Sequence, residues 1–153
     1  MPDYDFKTLS PIAFDGLSRD LLQKELNCHL ETFSPGPDGG IDLRGDLNGK
    51  LTVVQCKHYV GTGFNGLLSK LKRQEKAKAE TLNPSRYILT TSVGLSPGQK
   101  GKLKAVLAPF VKRESDIFGR DELNALLGKY PEVEQSHFKL WIGSSSVLSA
   151  MLN

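Results

Sequence analysis

The stretch IDLRGDL-NG-KLTVVQCK, residues 41–57, constrains the fold of this chain more tightly than any other. Two β-rich runs flank Asn48-Gly49, the dipeptide that best tolerates the two positive-φ positions of a type I′ turn, so the segment reads as a β-hairpin. A two-residue loop also sets the register. Residues 47 and 50 must face each other, and counting outward puts Asp42 opposite Gln55. Strand alternation then sorts the side chains. Ile41, Leu43, Val54 and Cys56 make an apolar face for a core, while Asp42, Gln55 and Lys57 share the other face at the hairpin's open end.

The elements around the hairpin follow from periodicity and punctuation. Ser10-Pro11 supplies an N-cap and a first-position proline, and Phe14, Leu17, Leu21, Leu22 and Leu26 recur at helical spacing until Asn27. CHLETF (28–33) reads as a short strand and SPGPDGG (34–40) as an irregular connection. A basic helix is predicted over 64–80. RYILTTS (86–92) is an apolar strand buried on both faces, and Ser96-Pro97 starts a helix reaching about Pro109. A short strand near Asp116–Phe118 and a helix over Asp121–Leu127 come next. Residues 131–153 are weakly determined; a helix pair with Trp141 packed inward is the expectation. The order α-β-β-β-α-β-α-β-α begins antiparallel and continues through helical crossovers, which predicts an α/β fold with a mixed central sheet and helices on both faces.

At 153 residues the chain can bury a core without staples. Its two cysteines, Cys28 and Cys56, have no paired spacing and read as buried reduced thiols. The scattered His29, His58 and His137 argue against a structural zinc, and His137 has no apparent partner. No run is long enough for a membrane span, and MPDYDFKTLS lacks a signal-peptide layout, so a cytoplasmic protein without membrane attachment is expected. A net charge of +3 is compatible with nucleic acid but does not demonstrate it. Distribution says more. Lys70, Lys72, Arg73, Lys76 and Lys78 surround one acid, Glu75, and a second basic group holds Lys100, Lys102, Lys104, Lys112 and Arg113. Two solvated helix faces are the more common reading of such lysines.

The hairpin cluster has a definite chemistry. A carboxylate and an amide oxygen with a nearby backbone carbonyl are hard ligands suited to Mg²⁺, and an ammonium beside the metal can orient a water and offset charge on a phosphoryl group. A half-exposed strand face with a surface Asp–Lys pair would have the same spacing. By spacing alone the two readings balance. Asp46, opposite Leu51 near the turn, reads as solvated. GDLNGKL lacks the spacing of a phosphate-binding loop and is a turn.

Taken in order, Pro37-Asp38-Gly39-Gly40-Ile41-Asp42 and Gln55-Cys56-Lys57-His58-Tyr59 resemble the PD-(D/E)xK nuclease superfamily, and within it the Mrr-like restriction endonuclease branch, which often carries glutamine for the acidic residue. Phe14-Asp15 resembles the branch's Phe-Glu, Arg86–Ser92 the strand after the core helix, and Leu95-Ser96-Pro97 the start of the next helix. The similarity spans roughly residues 10–110. It implies a restriction-endonuclease-like fold with an αβββαβ core and residues 1–153 as one nuclease domain, 111–153 being a C-terminal extension.

The resemblance also implies roles. Asp42 is the principal metal ligand, Gln55 a ligand or orienting group, the Cys56 carbonyl a third edge, Asp15 a contributor through water, and Lys57 the catalytic lysine. Mg²⁺, with Mn²⁺ as substitute, is the implied cofactor. Double-stranded DNA is the implied substrate, with Lys70, Arg73, His58, Tyr59 and Asp38 as candidate contacts. Asp38 is the rival acid because it follows a proline, but about 13 Å of extended chain separates it from Asp42. The branch also implies a homo-oligomer when active and fusion to sensor or ATPase domains in bacterial anti-phage defence. A junction-selective nuclease and a catalytically silent DNA-binding or assembly module remain open alternatives.

Overall fold

Ser10 caps the first helix through its hydroxyl, which accepts the Ala13 N–H at 3.1 Å, and Pro11 takes the first helical position. Helix α1 spans Pro11–Leu26 and stops at Asn27, whose backbone turns left-handed at φ 50°. Phe14, Leu17, Leu21 and Leu22 are buried along one side of it. A computed structural model describes residues 2–32, 42–59, 61 and 63–142, with Asp42 described through its backbone.

The strand expected over 28–33 is shorter than its composition suggests. Strand β1 covers Glu31–Thr32. Gln23 Oε1 accepts the Leu30 N–H at 2.9 Å, so the preceding residues are tied back to α1 before pairing begins. Strands β2 (Asp42–Leu47) and β3 (Lys50–Lys57) form the hairpin. Asn48 and Gly49 both have positive φ, 57° and 77°, and the register runs from Leu47↔Lys50 to Asp42↔Gln55 as the turn requires.

Beyond the hairpin the sheet grows in parallel. Strand β4 (Arg86–Thr91) lies beside β3, and β5 (Ile117–Phe118) beside β4, giving the order β1-β2-β3-β4-β5. Parallel neighbours need crossovers, and helices supply them. The first crossover is α2 (Gly63–Lys70), a π turn (Leu71–Glu75) and α3 (Lys76–Leu82), where an unbroken helix over 64–80 was expected. The second contains α4 (Pro97–Val106), which opens on a full capping box between Ser96 and Gln99 and stops short of Pro109. Helices α5 (Arg120–Lys129), α6 (Pro131–Ser136) and α7 (Phe138–Trp141) follow.

The mixed sheet divides two apolar cores. Leu43, Val54, Cys56 and Ile88 pack with α1 and with Leu123, Leu126 and Leu127 of α5. On the other face Val53, Tyr87, Leu89 and Ile117 pack with Leu67, Leu71 and Leu103. The fold is therefore α/β with a restriction-endonuclease-like arrangement. Both faces being covered has a consequence for the hairpin: Gln55 and Lys57 are 2% and 8% exposed, not displayed on a half-open strand face. Arg86 clamps the sheet's far edge by bidentate contact with Asp116, at 2.8 and 3.3 Å.

Two expectations for the C-terminal part change. His137 has a partner: its Nε2 lies 2.7 Å from Asp20 Oδ2, joining the α6–α7 turn to α1. Inward packing at the end of the described chain is shared: Leu140 is buried, and Trp141 is half-buried with its indole Nε1 enclosed. Residues 143–153 lie outside the described residues.

Gly45 is the tightest point of the hairpin. A Cβ there would stand 2.8 Å from the His29 carbonyl oxygen and 2.9 Å from Leu30 Cδ2. Backbone cannot yield as a side-chain tip can, so Gly45→Ala is expected to destabilise the protein by about 1–3 kcal/mol. Urea denaturation reads this as a lower midpoint at constant slope; an unchanged midpoint contradicts the packing described.

Candidate active site

The face of β3 that carries Val53, Gln55 and Lys57 lies under the first crossover, and the helix sequence explains what meets it. Leu67, Leu71, Glu75 and Ala79 recur every four residues, and all four are buried. In a straight α-helix residues four apart drift by about 40° per step, so this stripe would swing about 120° from first to last. The π turn over Leu71–Glu75 inserts one extra residue, which sets the phase back by about 100°. The stripe therefore stays on the sheet, and an acid enters the core with it.

Glu75 is 1% exposed, and its Oε1 accepts a hydrogen bond from Lys57 Nζ at 2.6 Å. Lys78 Nζ approaches the same oxygen at 3.4 Å from the more open side. Losing one member of such a pair strands the other charge in the interior, at a cost on the order of 3–5 kcal/mol. Glu75 escaped attention in the sequence because it sits among five basic residues. The signal was present in the four-residue spacing that puts it in line with Leu67, Leu71 and Ala79.

The other expected residues distribute as follows. Asp42 is paired to Gln55 through its backbone, which puts the two on the same face of the sheet. The Gln55 side chain is buried, and its Nε2 has no hydrogen-bond partner among the described residues. A buried, unanswered amide at the position whose backbone pairs with Asp42 fits a divalent cation, since rotation of the amide presents its oxygen at the same place. Among the described residues no group of three His, Cys, Asp or Glu side chains converges, so any cation here would draw on the amide and on backbone oxygen as well.

Asp15 enters from the opposite face. It lies on α1 against the Cys56 thiol, which also meets Ser18 and Thr90. Burial pushes the Asp15 carboxyl up to about 7, with the Cys56 contact and the Lys57 charge pulling weakly the other way. Burial likewise raises the Cys56 thiol to about 12, so it is an inert packing group.

His58 does not face outward. Its ring stacks on Phe14 at 4.9 Å, Nε2 donates to the Leu9 carbonyl at 2.8 Å, and Nδ1 meets Ser92 Oγ at 2.9 Å. Both ring nitrogens are engaged within the protein, which leaves neither free for DNA. Ser92 also holds the next residue, accepting the Tyr59 N–H at 2.9 Å. Tyr59 is half-buried, and burial together with the nearby Glu75 raises its phenol. Lys70 is half-buried at the end of α2, and Arg73 is exposed in the π turn. Asp38 lies outside the described residues.

Sequence comparison gives this geometry a family. The restriction endonuclease model of the Mrr type matches residues 6–83, which is half of the chain and includes α1, the hairpin and the crossover through α3. The chain belongs to the Mrr-type restriction endonuclease family. It is thus a nuclease domain of restriction-endonuclease type, and the family match ends just before β4, so β4, β5 and α4–α7 lie outside it. The chain is also 44% identical over 149 residues to the uncharacterized protein y4cD of Sinorhizobium fredii (strain NBRC 101917 / NGR234). That alignment takes in 97% of this chain and 23% of the relative, so the chain spans about a quarter of the length of the relative it matches. No solved structure matches it.

The Asp15 environment gives a stability prediction for the metal-free nuclease domain. Its folded pKa of about 7 lies above the ordinary 3.8, so the folded chain holds a proton that the unfolded chain releases. Stability from this group is complete below about pH 4 and falls as pH rises to about 7. Asp15→Asn removes the dependence. The variant is expected to match wild type near pH 4 and to exceed it at pH 8 by on the order of 3 kcal/mol in urea denaturation. Equal stabilities at pH 8 would show that the carboxyl is not desolvated.

Proposed function

We propose that this domain hydrolyses phosphodiester bonds in double-stranded DNA, with Mg²⁺ as cofactor and Mn²⁺ as a substitute. The observation that carries the reading is the buried Lys57 ammonium, paired to Glu75 at the end of β3, two residues beyond Gln55, whose amide is unanswered and whose backbone pairs with Asp42. A lysine costs much to bury unless its position is used or paired. Here it is paired, and it stands at the C-terminal end of the central strand β3.

Asp42 and the Gln55 amide oxygen, with the Cys56 carbonyl, would hold the cation, and Asp15 would contribute through water. When bound, the cation supplies positive charge against the phosphoryl oxygens. Lys57 orients the attacking water and offsets the negative charge that grows on the phosphoryl oxygens as the water oxygen bonds to phosphorus and the ester bond breaks. The departing alcohol takes a proton, leaving one phosphate end and one hydroxyl end. Lys70, Arg73 and Tyr59 on the adjoining crossover are the proposed backbone contacts, a phosphate-dominated and sequence-tolerant mode of binding.

Residues 1–153 are read as a single nuclease module, active as a homo-oligomer and fused to sensor or ATPase domains in an anti-phage defence protein. A relative of which the matching part is 23% supports the fusion reading.

Plasmid cleavage tests the activity. Wild-type protein with Mg²⁺ is expected to nick or linearise supercoiled DNA, and EDTA to stop it. Asp42→Ala and Lys57→Ala should each lower the rate by about 100-fold or more. Variants that cut as wild type does would sink the assignment. DNA binding with no cleavage by the wild-type chain would favour a silent binding module, and cleavage confined to branched DNA a junction-selective nuclease.

A further inference from the structure

We infer that Glu75 is the positioning residue for Lys57: its carboxylate, carried into the sheet by the π turn, holds the ammonium where the reaction needs it. This rests on the proposed role of Lys57 and extends it to a residue on a different element, eighteen positions along the chain.

Three observations converge. Lys57 ends in a charge on a flexible four-carbon stem, so strand geometry fixes its Cβ but not its nitrogen. Among the described residues, the hydrogen bond that fixes the nitrogen is the one to Glu75 Oε1 at 2.6 Å. Its neighbour on the strand face, Gln55, brings no charge and makes no hydrogen bond through Nε2. Asp15 approaches from the other face of the sheet, with the Cys56 thiol against it.

The second observation is the helix itself. Without the π turn over Leu71–Glu75, a continuous helix would rotate Glu75 away from the stripe begun by Leu67 and Leu71. π turns are rare and are frequently found at functional sites. The third is energetic. A buried ion pair is a weak device for fastening a helix to a sheet, because well-packed apolar side chains of similar volume do as well or better. Leu71 and Ala79 already pack there. A charged pair in their midst is explained by the position it gives Lys57.

The test uses the full chain with Glu75→Gln and Glu75→Asp. Two readouts do not require cleavage. The first is the rate at which an amine-specific acylating reagent modifies Lys57, followed by peptide mass spectrometry with the exposed Lys102 as internal control. The second is affinity for duplex DNA in EDTA by fluorescence anisotropy. Lys57 should be strongly protected in wild type and modified at least several-fold faster in E75Q, while Lys102 and DNA affinity stay within two-fold. In plasmid cleavage, E75Q should lose at least ten-fold in kcat with KM within two-fold, and E75D should recover part of the loss.

Unchanged Lys57 labelling in a folded E75Q overturns the inference, as does unchanged kcat in a chain that Lys57→Ala inactivates. A kcat loss that tracks the loss of folded protein, read by near-UV circular dichroism, also overturns it and leaves Glu75 a structural staple. Where E75Q does not fold, E75D decides by the same criteria, since it keeps the charge and withdraws it by one methylene. A wild-type chain that never cleaves refutes the proposed function, and Lys57 labelling still decides whether Glu75 holds the ammonium.

Discussion

The geometry of the site depends on a turn of two residues. Asn48 and Gly49 accept positive φ where most residues resist it, and that sets the pairing of β2 with β3 along its whole length. Because side chains alternate, a slip of one position would exchange the faces and put Leu43 and Val54 under the crossover in place of Asp42 and Gln55. The apolar face guards against that slip, since Leu43, Val54 and Cys56 have a core waiting for them against α1. The polar set is placed by the requirements of the apolar one.

The parallel neighbour strand then decides the environment. β4 cannot reach β3 by a hairpin, so a helical crossover must return over the sheet, and it covers the face that bears Gln55 and Lys57. Polar groups that could have been solvated are thereby desolvated, which makes their pairing consequential. Glu75 answers Lys57; nothing among the described residues answers the Gln55 Nε2. The same covering creates the need for the π turn, because a long helix lying on a sheet must keep its inward stripe in phase over several turns.

Legibility in the sequence followed the range of the interactions involved. The hairpin and its register, the Ser-Pro helix starts, and the succession of elements are local and could be read from a few neighbouring residues. The first helical crossover was legible as a helix, but its π turn was not, because an irregularity that rephases a helix is dictated by the sheet below it. Glu75 was hidden for a related reason: its composition said surface and its spacing said core. β1 was over-read because CHLETF has strand composition, while the Gln23 side chain holds Leu30 close to α1. His58 was read as a candidate DNA contact and His137 as having no apparent partner because their partners, Leu9 and Ser92 for one and Asp20 for the other, are distant in sequence.

The charges around β3 suggest why a glutamine can stand where an acid is more usual. A strand carboxylate at position 55 would place a second negative group with Glu75 near one ammonium in a desolvated space. Their mutual repulsion would favour protonating one of them. With Gln55 in that position, Glu75 can be given over to Lys57 and Asp42 can be left for a cation. Asp15, which burial pushes up to about 7, carries only part of a negative charge on the opposite face at neutral pH, and a positive charge nearby would draw its proton off. On the proposed reading, such a site would hold a divalent ion weakly by itself and would gain the missing oxygens from a phosphate, because Mg²⁺ is commonly bound by one or two carboxylates and completed by substrate. On the proposed reading, cation and DNA would therefore bind cooperatively, and the neutral Gln55 would help restrict charge assembly at β3 to the substrate-bound state.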